Sequence, residues 1–156
     1  MTADRLLVAV FASPVAEVLI RWGRELGFRT VLVEPDGRSL DADVTARGFA
    51  ELDDELADGT ADVVATDHHR DELGVLLRDA LVRPARWVGV MGNPRHEGPH
   101  VAALTALGVE PDEIARVHRP IGLDIGSRAP AEIALSTLAG LLADRNGRAG
   151  GFVHGS

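Results

Sequence analysis

Arg5-Leu6-Leu7-Val8-Ala9-Val10-Phe11, followed by Ala12-Ser13-Pro14, decides the fold. A continuous apolar run of this length suits a strand buried on both faces, as in a parallel sheet. Pro14 then opens a helix, because a residue in the first turn needs no N–H partner. Val15, Val18, Leu19, Trp22 and Leu26 recur at helical spacing, and Gly27 closes the helix. Arg29 to Glu34 (RTVLVE) is a second buried strand, ended by Pro35-Asp36-Gly37. Strand, helix and strand in this order predict a parallel sheet with helices on both faces.

The rest of the chain continues the alternation. Ala61 to Thr66 and Arg86 to Met91 read as strands, and Arg116 to His118 as a short last one. Helices are expected over Asp71 to Leu81, His100 to Leu107 and Pro130 to Arg145, with one helical turn over Pro111 to Ala115. The last helix is apolar on most faces, which predicts burial. Arg38 to Gly59, rich in Asp and Glu, holds a weak helix or a short strand. Residues 1–148 are expected to form one domain, a Rossmann-like α/β three-layer sandwich with a mainly parallel sheet. Residues 149–156 read as a glycine-rich flexible tail.

Composition narrows the chemistry. The chain has 156 residues, enough for one core, and its 46% hydrophobic and 26% charged content is ordinary for a globular domain. It has no Cys, which excludes disulfides, thiolate catalysis and thiolate metal ligation. All 16 basic residues are Arg, and the absence of Lys excludes a Schiff base and a P-loop lysine. A net charge of -8 argues against nucleic acid as a partner. No apolar run approaches a membrane span and the start lacks a signal-peptide pattern, so membrane insertion is not expected and a cytoplasmic setting is.

In such sheets a ligand binds outside the carboxyl ends of the strands. Five segments fall there: Ala12 to Pro14, Glu34-Pro35, Asp67 to His69, Gly92 to His96, and His118 to Gly126. Four of them carry polar residues that a core does not require. The first turn has no glycine, which opposes a dinucleotide pyrophosphate, and Pro14 lacks a donor. Glu34 stands where a carboxylate would accept ribose hydroxyls, or else is a solvated strand end. Asp67 suits a helix cap, and His68 and His69 are either exposed or ligand contacts. His96, His100 and His118 could join them as metal ligands, but no recognised metal spacing is present, and no metal site is assigned. Gly92-Asn93-Pro94-Arg95 suits an anion, with Arg95 as a bidentate donor, or is a plain loop. Asp124, between Gly122 and Gly126, is expected in an ordered, partly buried loop, where it either bonds backbone amides or meets a ligand.

His118-x-Pro120-Ile121-Gly122-Leu123-Asp124-Ile125-Gly126, Pro130-x-Glu132-Ile133-Ala134, Val88-Gly89-Val90-Met91-Gly92 and Arg145-Asn146-Gly147 together carry a resemblance. The run from about Val63 to Gly147 resembles the C-terminal Rossmann-like domain of the XdhC/CoxI family, accessory proteins of molybdenum hydroxylases such as xanthine dehydrogenase. Arg5 to Pro35 resembles the family's opening unit more loosely. Phe11-Ala12-Ser13 stands where members often have Gly-Ala-Gly, and Gly92-Asn93-Pro94-Arg95 where they often have Gly-Ser-Arg-Arg. The resemblance implies binding or delivery of the molybdenum cofactor, molybdopterin, during maturation of such a hydroxylase. That is a chaperone or insertion role without turnover, and no catalytic residue is assigned. The cofactor-binding set is Ser13, Glu34, Asp67, His68, His69, Gly92, Asn93, Arg95, His118, Gly122, Asp124 and Gly126. The implied partners are a molybdenum hydroxylase subunit and a cofactor sulfurase, with a homodimer as a further expectation because an edge strand is open to pairing. The alternative is an NAD(P)- or nucleotide-binding Rossmann enzyme or sensor with a degenerate glycine turn.

Overall fold

The computed structural model describes residues 5–92, 98–119, 121–126 and 128–153. Six strands form one sheet: β1 (Arg5–Val10), β2 (Phe28–Val33), β3 (Val44–Ala46), β4 (Ala61–Ala65), β5 (Trp87–Val90) and β6 (Val117–His118). Their order is β3-β2-β1-β4-β5-β6, and every neighbouring pair is parallel. The order reverses between β1 and β4, so their carboxyl ends form the crevice where such sheets take ligands. The helices are α1 (Pro14–Glu25), α2 (Asp53–Leu56), α3 (Leu73–Leu81), α4 (Pro99–Ala106), α5 (Pro111–Ile114) and α6 (Pro130–Arg145).

The two-residue period of the strands divides the core. Leu6, Val8 and Val10 point to one face and join Leu73, Leu77 and Leu104 of α3 and α4. Leu7 and Val64 point to the other face and join Leu19 of α1 with Leu138 and Leu141 of α6. Both faces are covered, as the unbroken apolar strands require. At the amino-terminal edge of the sheet, buried Asp62 accepts from Arg86 Nε at 2.6 Å and from Arg145 Nε at 2.8 Å, which ties the end of α6 to β4.

Four local expectations change. The stretch 38–59 holds both kinds of element: β3 pairs with β2, and a 3₁₀ turn over Phe49–Leu52 leads into α2. The third helix begins at Leu73, with Glu72 at its cap position, so Asp67 does not cap it. Asp67 instead accepts the His69 N–H at 2.9 Å and closes a turn two residues on. The last helix is buried on only one side, against α1, and leaves Leu135 53% exposed. Asp124 is exposed rather than partly buried.

Candidate functional site at the carboxyl ends of the strands

The opening turn is closed by the protein's own side chains. Phe11 has φ +76°, a left-handed conformation that a bulky residue seldom adopts, and its ring is fully buried. Burial of that ring in the core below the sheet holds the backbone in this shape. The Ala12 N–H donates to Glu34 Oε1 at 2.9 Å. Ser13 Oγ accepts the Ala16 N–H at 3.0 Å, which caps α1, and donates to Thr66 Oγ1 at 2.9 Å. Thr66 Oγ1 lies 2.9 Å from the carbonyls of both Val10 and Phe11. The Ser13 hydroxyl is therefore committed as donor to Thr66 and as acceptor from Ala16.

Glu34, at the end of β2, has no exposed surface. Arg70, from the connection after β4, reaches across the crevice and grips it with two bonds, Nη1 to Oε1 at 2.9 Å and Nη2 to Oε2 at 2.8 Å. The Asp36 N–H donates to Oε2 at 3.1 Å. The same guanidinium lies 4.4 Å above the centre of the Phe11 ring. Burial alone would raise the Glu34 pKa, but the hydrogen bonds from Arg70, Ala12 and Asp36 outweigh it and bring it to about 2. The carboxylate expected to meet a ribose is thus engaged by two main-chain amides, by Arg70 and, at 3.4 Å, by Arg38 Nη2. Outside this closure, an open cleft of about 370 Å³ lies between the first turn of α1 and the loop Arg38 to Leu40.

The β4 to β6 half of the crevice is built differently. His68 and His69 follow β4, with ring centres 4.0 Å apart. Burial, then the charges of His69 and Arg119, hold the His68 imidazole below its ordinary pKa, while Asp67 and the Met91 backbone act the other way. Arg119 follows β6 and packs on two glycines. A Cβ on Gly92 would stand 2.6 Å from Arg119 Nε, and one on Gly98 would stand 2.8 Å from Arg119 Cδ. His100, in the first turn of α4, is 6% exposed, and its Nδ1 is buried without a hydrogen-bond partner. Burial first, and Arg119 second, keep its pKa low. His118 is exposed and stacks on Trp87 at 4.9 Å with ring planes 5° apart. The indole of Trp87 lies over Gly89, where a Cβ would meet it.

The loop after β6 is anchored on α6. Gly122 has φ +92°, and a Cβ there would stand 2.5 Å from Ser136 Oγ, so the position favours glycine twice over. Ser136 Oγ donates to the Leu123 carbonyl at 2.6 Å, and the Leu123 N–H donates back to the Ser136 carbonyl at 3.2 Å. These bonds present Asp124, Ile125 and Gly126 to solvent ahead of α6, whose cap residue Ala129 offers no capping side chain.

Comparison with known proteins identifies the scaffold. The family model of the XdhC Rossmann domain matches residues 7–141. The chain belongs to that family. An uncharacterized protein of Escherichia coli (strain K12), YqeB, is 34% identical over 92 residues, which cover 58% of this chain and 16% of that protein. A crystal structure named as a xanthine dehydrogenase from Bacillus halodurans superposes with a TM-score of 0.69 at 24% identity, over 93% of this chain and 44% of the other. That likeness shows the fold. The chain therefore spans about one sixth of the length of YqeB and less than half of the crystallised chain.

Within this XdhC-type domain, the residues expected from sequence divide into groups. His68, His69 and Gly92 lie at the β4–β6 ends near Arg119, His118 is at the sheet edge, and Gly122, Asp124 and Gly126 occupy the loop against α6. Ser13, Glu34 and Asp67 are held in turn-building hydrogen bonds. Asn93 and Arg95 lie outside the described residues, as does His96. Three residues absent from the expected binding set prove central to the geometry: Arg70, His100 and Arg119. Arg70 and Arg119 each directly follow a histidine in a strand-end segment, a pattern visible in the sequence as His69-Arg70 and His118-Arg119. Among the described residues no group of three or more His, Asp or Glu is placed to hold a metal, and no helix is long and apolar enough to cross a membrane.

Proposed function

We propose that this domain binds molybdopterin-type molybdenum cofactor as cargo and passes it to a molybdenum hydroxylase during maturation. The match of the XdhC Rossmann domain over residues 7–141 carries the reading. The strand ends add chemical support. Arg119 and His68 stand close together there, a guanidinium and an imidazole suited in kind to an anionic ligand, and the loop Asp124 to Gly126 is exposed. The role asks for binding and release, and it requires no nucleophile or proton-transfer pair. A hydroxylase subunit and a cofactor sulfurase are the partners that such a cargo implies.

The dinucleotide alternative draws less support. It depends on a second-strand carboxylate free to accept ribose hydroxyls and on a turn that admits pyrophosphate. Glu34 is engaged by Arg70 and two amides, and Phe11 with Arg70 above it fills the turn. The full chain purified from cells making the cofactor should carry oxidisable pterin, read as fluorescence after oxidation, together with molybdenum. Protein recovered free of both, from cells whose hydroxylases are loaded, would refute the reading.

A further inference from the structure

We propose that Arg70 is a specificity-determining residue that shuts nucleosides out of the cleft beside α1, by taking the position on Glu34 that a ribose diol would hold. The inference concerns the β1–β2 half of the crevice and does not rest on the cofactor reading.

The cleft is the first observation. Its volume of about 370 Å³ lies in the range of small-molecule sites. Ala12, Pro14 and Leu40 give it apolar walls beside Arg38, whose planar guanidinium is of the kind that stacks on aromatic rings. Two of its lining residues lead directly to Glu34. The Ala12 N–H donates to Oε1 at 2.9 Å, and Arg38 Nη2 stands 3.4 Å from the same oxygen. A carboxylate at the end of the second strand, behind a cleft of this size, has the placement of a ribose anchor. With no glycine from Phe11 to Pro14, and no N–H on Pro14, the turn beside it makes no place for phosphates. The ligand class that the cleft would otherwise admit is therefore the nucleoside.

The state of that anchor is the second observation. A carboxylate has about four acceptor sites. The Ala12 and Asp36 amides and the two Arg70 bonds account for that number, and Glu34 has no exposed surface. Arg70 gives one bond to each oxygen, at 2.9 and 2.8 Å. Its removal returns one acceptor on each, the pair that two vicinal hydroxyls require.

The third is how Arg70 is held. It comes from the connection between β4 and α3, not from the sheet or a helix. Its guanidinium covers the Phe11 ring and also bonds Glu72, whose side chain is 41% exposed, at 3.2 Å. Arg70 is thus a loop side chain folded inward over Glu34, and shortening it uncovers the carboxylate without changing any residue of the sheet.

Equilibrium dialysis of the full chain against adenosine tests the proposal. The parent should show no saturable binding. R70M keeps an apolar stem over Phe11 and donates nothing to Glu34, so it should bind one adenosine per chain. E34Q/R70M should lose about tenfold or more of that affinity, and 2′,3′-dideoxyadenosine should bind R70M more weakly than adenosine by a similar factor. R70Q leaves Glu34 a single amide donor; it should show a smaller gain, and it carries the test if circular dichroism shows R70M unfolded. Adenosine binding by the parent as tight as by R70M would overturn the proposal. So would a folded R70M or R70Q that binds none, or a gain that survives loss of the Glu34 carboxylate or of the ribose hydroxyls.

Discussion

Phe11 and Glu34 show how single side chains reshape a nucleotide-type turn. A benzyl group at φ +76° is costly, by about 1–2 kcal/mol, and burial of the ring offsets it. F11A should lose about 3–5 kcal/mol of stability, since the ring is lost while the backbone strain stays. F11G should be about 1 kcal/mol less harmful, because glycine accepts the left-handed backbone. Urea unfolding of the two variants checks the difference, and equal losses would mean the turn relaxes. Glu34 sets a pH dependence. Its folded pKa is lowered from 4.5 to about 2, so its contribution is complete above the upper value and is lost as pH falls towards the lower one. The shift corresponds to roughly 3 kcal/mol. E34Q should be destabilised by about 1–3 kcal/mol at neutral pH, because Arg70 loses its buried bidentate partner and keeps only Glu72 and the more distant Asp36. Its stability should also vary less with pH across that acidic window than that of the parent, as urea midpoints measured from pH 5 to 2 would show. None of this was legible in the sequence. Glu34 was visible as a strand-end carboxylate, but its partner Arg70 lies 36 residues away and is brought to it only by the β1–β4 crossover.

At the scale of elements, legibility followed length. The bounds of α6 match the expected Pro130 to Arg145, and α1 starts at the expected Pro14, because a proline at the first helical position marks each start. β3, the 3₁₀ turn and α2, of three, four and four residues, are too short for periodicity to register. The burial of α6 was overestimated because Ala and Leu also populate its outer face, and an apolar residue at the surface is unremarkable. The loop before α6 rests on a close approach that sequence patterning does hint at through its paired glycines. A Cβ on Gly140 would stand 3.3 Å from the Gly122 Cα, so helix and loop meet main chain to main chain. G122A should combine left-handed strain with a clash against Ser136, lowering stability by about 2–3 kcal/mol and loosening the loop. Thermal unfolding gives the first effect. Faster amide exchange at Leu123, whose N–H bonds Ser136, gives the second.

At the scale of the molecule, the sheet order splits the crevice into a β1–β2 half, where Arg70 closes over Glu34 and Phe11 beside an open cleft, and a β4–β6 half lined by His68 and Arg119. The sequence located the crevice, since the strand-end segments were all named from the alternation of elements. It did not show that Arg70 closes over Glu34, because that contact needs the connection after β4 to cross to the end of β2. Asp124 belongs to this scale, as an exposed group in the loop between β6 and α6 and part of the proposed cofactor contact. D124A should leave the unfolding midpoint within about 0.5 kcal/mol of the parent, as surface substitutions usually do, while weakening retention of cofactor. A large fall in stability would make Asp124 a loop-building residue. Equilibrium titration of the purified full chain with molybdenum cofactor and, in a parallel experiment, with NADH tests the whole most directly. Saturable binding of the cofactor at one per chain, with no saturable binding of NADH, is expected; saturable NADH binding with none of the cofactor would contradict it.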